Sequence, residues 1–587
     1  MPRWTISADR LPFMALRDSL TAGYGLIELK RDVLAGFTVG IIAIPLAMAL
    51  AIAVGVAPQH GLYTAIVAGF VTALTGGSRF NVTGPTAAFV VILLPITHHY
   101  GLGGLLLASM MSGLILVTLG LTGMGRLVRF IPYPVIIGFT AGIAVVIAGL
   151  QLKDLLGLRL AADSEHFLEQ MLLIVEALDS ISWTDLSIGL LTFIVLLAWP
   201  RLKTAVPAPL IALLLAGLGA WLASRYLPGF EVQTIASQFS YETDGKQQAG
   251  IPPFAPTFQW PWHLPGADGQ PLNVDLNLLR SLIGPAMAIA MLGAIESLLC
   301  GVIADGLTET RHRPNTELVG QGLGNLIAPL FGGITATAAI ARTATNVRYG
   351  ARSPVAAMVH AGVVLLAVVL LSDLLSMLPM AAMAALLLIV AWNMSEAGHF
   401  LRIVRTAPGG DVTVLLICFG LTVVFDMVLA VAVGVALAGA LFIQRMSELT
   451  SAQRTRAAPS GTALELPDKV ATFSIRGPLF FGAAERALHT LHRIGPEISI
   501  VMLDMADVPS MDMSAIVVFQ SMVSELRQQG TALILINANP RILSKLRRAG
   551  IRREPGQLAF CRNADHGTRL ARRWLDQSAH AQADARQ

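Results

Sequence analysis

One glutamate, Glu296, stands inside the apolar run Ala288–Cys300 with no other charge beside it. A carboxylate at that depth in a membrane costs several kcal/mol unless it is neutral, paired or wetted. It therefore reads as a proton or cation coupling group, or as a structural carboxylate bonded to helix ends. A second candidate is the run Gly332–Ala341, built almost wholly of small residues and closed by Arg342. A similar run, Asn81–Phe89, lies at about the same depth in the first half of the chain and contains Thr83, Gly84, Pro85 and Thr86. Paired Gly/Pro-broken segments in corresponding halves of a membrane protein point to a transport site. Two broken helices can aim their N-termini at one spot, and those N-termini attract anions. Thr335–Ala341 is the expected half-helix start on the second side. Small residues also serve plain helix packing in membranes, and Arg342 either faces an anion or marks the cytoplasmic side.

The elements that must position these residues are membrane helices. The chain has 587 residues, 54% of them hydrophobic and only 13% charged, against about 25% charge in a soluble domain. The apolar residues fall into blocks such as Ile188–Trp199, Ala208–Leu222 and Ala356–Leu371. No amphipathic period survives in these blocks, which excludes a soluble helical core. We read about fourteen membrane segments, some of them half-helices. No cleavable signal peptide is expected, because the first apolar block, Val33–Val54, is long enough to span. Arg79, Arg126, Arg129, Arg201, Lys203, Arg311, Arg313, Arg348, Arg352, Arg402 and Arg405 fall in alternate loops, so the positive-inside rule places both termini in the cytoplasm. The loop Leu227–Asn277 divides the membrane part into halves of roughly seven segments each, and an odd number per half is the condition for an inverted repeat.

Other residues carry less. Pro45 must disturb the first helix. Gln321, Asn325 and Asn346 read as packing hydrogen bonds, and His98, His99 and Tyr100 as interfacial. The spacing of Cys300, Cys418 and Cys561 gives neither a metal site nor a disulfide framework. No cofactor and no nucleic-acid partner is expected, and no nucleophile, base and orienter occur together as an enzyme would require. The reading divides the chain into a cytoplasmic segment 1–30, a membrane domain 31–447, a linker 448–462, an α/β domain 463–576 and a disordered tail 577–587. Within the α/β domain, Val470–Ile475, Ser499–Leu503 and Ala532–Ile536 are strand-like, and Ala483–His492, Met513–Leu526 and Pro540–Ala549 helix-like. Ser514 reads as the cap of the helix that follows it, or as a phosphorylatable switch.

Pro58–Thr64 followed by Gly76–Arg79 resembles the signature of the SulP anion transporters, the sulfate-permease family, and the C-terminal pattern resembles a STAS domain. Gly40–Ala51, Leu74–Phe80, Gly84–Leu93, Ala290–Cys300, Glu317–Asn325, Gly332–Arg342 and Met380–Ala397 resemble most closely the family's bacterial C4-dicarboxylic acid carriers. The resemblance implies an α-helical integral membrane protein of two inverted repeats. Segments one to four and eight to eleven form a core domain, the other six a gate domain, and a cytoplasmic α/β STAS domain follows. It implies anion contact at Ala339, Ile340, Ala341 and Arg342, and at Thr83, Gly84, Pro85 and Thr86. Leu46 and Leu50 would line the pocket, Glu296 would couple protons, and Ser514 would match the phosphorylated serine of anti-sigma antagonists. Two departures stand out. Ala341 replaces a polar group of animal members, which suits a larger organic anion, and Ala515 replaces a glycine after Ser514.

The expectation is a proton-coupled importer of succinate, fumarate and aspartate, working by an elevator-type cycle as a homodimer in the bacterial inner membrane. Its partners would be the anion, protons and the lipid bilayer, with an unidentified soluble protein at the STAS domain. The rivals are a bicarbonate or sulfate carrier of the same fold, an anion sensor signalling through the STAS domain, and an anion channel.

Overall fold

In this computed structural model the described residues are 11–125, 132–160, 164, 167–202, 204, 206–243, 245–425, 427–448, 451–455, 466–480 and 497–584. The helix-like stretch Ala483–His492, the basic residues Arg126, Arg129 and Lys203, and most of the 448–462 linker lie outside them. The chain forms two compact units, Met1–Ala436 and Leu437–Gln587.

The first unit begins with a short helix α1 (Met14–Thr21), followed by α2 (Leu26–Ala53) and α3 (Pro58–Thr75). A two-residue strand β1 (Thr83–Gly84) and a 3-10 turn (Ala87–Phe89) lead into α4 (Val90–Thr122). Gly101, at φ 69° and ψ −172°, divides α4 into two membrane segments. Only glycine takes that backbone freely, and a Cβ there would also collide with Gly266 of the long loop before α10. Then come α5 (Tyr133–Leu156), α6 (Phe167–Glu176), α7 (Trp183–Ala198), α8 (Ala208–Tyr226) and the single turn α9 (Ile235–Gln238). The Leu227–Asn277 loop holds a hairpin of β2 (Ser240–Thr243) and β3 (Lys246–Ala249).

The second half repeats the pattern with α10 (Leu276–Thr308), α11 (Pro314–Ile327), β4 (Thr337–Ala338), α12 (Ile340–Arg348) and α13 (Val355–Ser376). In each half a long helix with an internal proline (Pro45, Pro285) precedes one opening on a proline (Pro58, Pro314). A two-residue strand and a half-helix then follow. β1 and β4 pair antiparallel, Thr83 with Ala338 and Gly84 with Thr337, which sets the two halves in opposite directions at the centre. α2, α3, α4, α10, α11, α12 and α13 pack as one body. α5 packs on α7, on α14 (Met380–Met394) and on α16 (Gly409–Val424) in a second. The helix α15 (Ala397–Thr406) and the last membrane helix α17 (Met427–Glu448) complete the element order.

α2 runs through Pro45, which has no N–H to donate to the preceding turn. One sequence expectation is corrected. The second half-helix starts at Ile340 rather than Thr335. Thr337–Ala338 is drawn into the strand pair, and Ala339 is the extended residue before the helix.

Two buried carboxylates missed by the sequence reading fix loops on either side of the half-helices, Glu317 before the first and Asp32 after the second. Glu317, 1% exposed, accepts from the backbone N–H groups of Gly77 (2.9 Å) and Ser78 (2.8 Å) and from the Asn81 amide (2.6 Å). Asp32, fully buried, accepts from the Arg352 N–H (2.6 Å) and the Ser353 hydroxyl (2.5 Å) ahead of α13, and from the Tyr24 hydroxyl (2.8 Å). Burial, helped by that last bond, pushes Tyr24 up to about 12. Glu317→Ala would leave three buried donors unpaired, at a cost of about 3–5 kcal/mol. We expect it to lower the thermal midpoint in detergent by many degrees, while Glu317→Gln, which keeps an acceptor oxygen, loses less.

The second unit is a five-stranded sheet in the order β5 (Ser451–Thr455), β6 (Val470–Arg476), β7 (Ile500–Asp507), β8 (Ala532–Ile536) and β9 (Leu558–Cys561). β5 runs antiparallel and the rest parallel. Alternate strand residues face opposite ways. Val501 and Leu503 meet α18 (Met513–Gln528) and α19 (Pro540–Arg548), whereas Ile500 and Met502 meet α20 (Ala564–Asp584). β5 overturns part of the linker reading, because Ser451–Thr455 is a polar edge strand. α20 likewise extends through Asp584 into the stretch read as a disordered tail.

Candidate functional site

The site forms where β1 and β4 hand over to their helices. Neither helix start carries a side-chain cap, at Thr86 or at Ala339. Helix N-termini leave N–H groups without intrahelical partners, usually met by Ser, Thr, Asp or Asn caps. Uncapped starts of this kind are ready to receive an anion. Ala339 is half-buried, and Ile340 and Ala341 are exposed, so the second start is open among the described residues.

Arg342 crosses between the halves. It is 2% exposed, and its Nη2 donates to the Pro85 carbonyl at 2.7 Å. Nε and Nη1 have no hydrogen-bond partner among the described residues. Gly84 leaves room for the guanidinium, since a Cβ would lie 2.5 Å from Nη1 and would displace it. The guanidinium occupies the first turn of α12, where the helix dipole is already positive and disfavours a cation. Two positive helix ends and a buried guanidinium with unused donors make a strongly anion-seeking spot. Glu296, half-buried, lies beside it and accepts from the Thr86 hydroxyl at 3.1 Å. The carboxylate on α10 is thereby tied to the first half-helix start.

A polar lattice holds this geometry. Ser297 bonds Thr337 at 2.7 Å, while Gln321 and Asn325 both donate to the Ala336 carbonyl, at 2.7 and 3.0 Å. Asn346 donates to the Phe80 carbonyl at 3.0 Å, and the Thr343 hydroxyl accepts from the Val82 N–H at 3.0 Å. The amide N–H groups of Gln321, Asn325 and Asn346 thus go to backbone carbonyls. Thr83 is also engaged, its hydroxyl donating to Gln321 at 3.3 Å.

The structure brings Gly84, Pro85, Thr86, Glu296 and Ala339–Arg342 together. Leu46 is half-buried on α2, but Leu50 is sealed at 1% exposure, so its side chain lines no open surface in this conformation. Ser514 lies in the second unit, exposed in the first turn of α18. The capping role falls to Asp512, whose side chain accepts from the Ala515 N–H at 2.8 Å. The sequence reading put the cap two residues late; the Asp that precedes the apolar run was the available signal.

Fold and site together define a multi-pass membrane carrier for anions, with two facing half-helices at its centre. Residues 29–418 match the Sulfate permease family and residues 462–563 the STAS domain. The chain belongs to the sulfate permease family. It is 38% identical over 93% of its length to the Bacillus subtilis protein called "Putative sulfate transporter YvdB", covering 98% of that protein. It is 29% identical to the bicarbonate transporter BicA of a Picosynechococcus species, over 87% of this chain and 89% of that one. Among solved structures, the transmembrane domain of a cyanobacterial BicA superposes with TM-score 0.57 at 27% identity, covering 71% of this chain and 98% of that one. The murine Slc26a9 anion transporter in the inward-facing state shares the fold, at TM-score 0.78 and 17% identity, over 92% and 90% of the two chains. The protein is an anion transporter and not an enzyme.

Proposed function

We propose that the protein imports C4-dicarboxylates (succinate, fumarate and aspartate) together with protons across the bacterial inner membrane. The observation that carries this reading is Arg342, with two unused donors between two uncapped helix starts. Ala341 and Ile340 on the accessible side leave room for a carbon skeleton and offer no side-chain hydrogen bond to a small inorganic ion. One carboxylate lies on Arg342 and the helix starts. Protonation of Glu296 lets the loaded core move against the gate, in an elevator-like cycle, and proton release inside resets it. The N-terminus and the STAS domain are cytoplasmic, following the basic loops, and the protein works as a homodimer. Ser514 and a soluble partner would act on the STAS domain.

A second reading, a bicarbonate or sulfate carrier, is favoured by the names of the relatives. Competition separates the two. In proteoliposomes with an inward proton gradient, labelled succinate should accumulate, and unlabelled fumarate or aspartate should suppress it. Equal concentrations of sulfate or bicarbonate should leave it unchanged. Suppression by sulfate or bicarbonate alone would reverse the assignment.

A further inference from the structure

We propose that the first unit carries a second oxyanion site, remote from Arg342 in sequence and built for a phosphate group. It is the pocket walled by Arg79, Arg311 and Arg313, with a volume of about 230 Å³. That is smaller than the roughly 300–1,000 Å³ of ordinary small-molecule sites, so a nucleotide is excluded and a hydrated oxyanion fits. On the orientation proposed above, the pocket opens to the cytoplasm.

The charges in the pocket are not all spent. Asp18 of α1 pairs with Arg313 at 2.9 Å. Asp305 is occupied by the backbone N–H and Nδ1 of His312, at 2.9 and 2.7 Å, and by the Thr310 hydroxyl at 3.3 Å. Both acids line the pocket and keep their charge, but the three arginines of the wall outnumber them. Arg79, half-buried, and Arg311, exposed, form no ion pair among the described residues. The buried Nε2 of His312 also has no hydrogen-bond partner there. The planar guanidinium fork pairs two N–H donors with two oxygens of a tetrahedral phosphate.

The pocket wall is continuous with the transport site. The Arg313 N–H donates to the Gly77 carbonyl at 3.1 Å, and Glu317 holds the N–H groups of Gly77 and Ser78 in the same loop. Arg79 stands four residues before β1. An anion drawing Arg79 and Arg311 together would pull on the loop that sets the first half-helix, which makes the pocket a control point for the core.

The test is equilibrium dialysis of radiolabelled inorganic phosphate against the full chain in detergent with phosphatidylcholine. Wild type should bind saturably. Arg342→Ala, which removes the transport-site guanidinium and leaves the pocket arginines in place, should bind as wild type. Arg79→Gln/Arg311→Gln should weaken binding by about tenfold or more, and Arg311→Gln alone, at an exposed position that tolerates change, by a smaller factor. Absence of binding in wild type, loss with Arg342→Ala, or retention in the double variant overturns the site. Repeating the assay in nanodiscs identifies the source of the phosphate group. Displacement by phosphatidylglycerol assigns the pocket to a lipid headgroup, and retention assigns it to the soluble ion. The readout is binding, so it stands or falls independently of which anion is transported.

Discussion

Arg342→Ala should remove high-affinity anion binding while leaving a folded protein. The guanidinium is buried and two of its donor nitrogens have no hydrogen-bond partner among the described residues. Removing one side of a buried charged pair costs about 3–5 kcal/mol, or roughly two to three and a half decades in Kd. Arg342→Lys keeps a charge but loses the planar fork, and should fall between. The side chain also ties Pro85 to α12, so a purely structural role must be separated from a ligand role. Ligand-induced stabilisation does that. Saturating succinate at one hundred times Kd stabilises the wild type by about 2.7 kcal/mol, raising its melting temperature. In Arg342→Ala that rise should vanish even where the ligand-free midpoint moves little. A variant that melts early but still gains the full shift would make Arg342 a strut, not a ligand.

The sequence exposed the parts of this site that are chemically conspicuous and hid the parts that depend on partners far along the chain. Glu296 was legible because a lone carboxylate in an apolar run has few explanations. The paired small-residue runs were legible because they occur twice. Glu317 was not, because the N–H groups it satisfies lie 239 and 240 residues away. The β1–β4 pair left no trace, since two residues cannot show a period, and the start of α12 was placed too early for that reason. In the second unit the apolar strands were found, whereas the polar edge strand Ser451–Thr455 resembled a linker. Its pairing comes from the backbone of β6 rather than from its own side chains.

Glu296→Gln should abolish proton-driven accumulation without abolishing binding. The amide keeps an oxygen for the Thr86 hydroxyl, now 3.1 Å from the carboxylate, so the first half-helix should hold its place. What is lost is the charge that a proton must neutralise. The energetics make this loss large. An inside-negative potential opposes a dianion by about 2.3 kcal/mol per charge per 100 mV, so near 100 mV an uncoupled carrier would hold succinate about three decades lower inside than outside. At clamped zero potential, each coupled proton contributes about 1.4 kcal/mol per pH unit. A one-unit inward gradient then gives about tenfold accumulation with one proton and about a hundredfold with two. Wild type should rise to one of these plateaus, which also reads the stoichiometry. Glu296→Gln should stop at equal concentrations inside and outside, while its succinate affinity stays within a few fold. Full accumulation in the variant would move the coupling group elsewhere, and loss of affinity with loss of accumulation would make Glu296 part of the anion site itself.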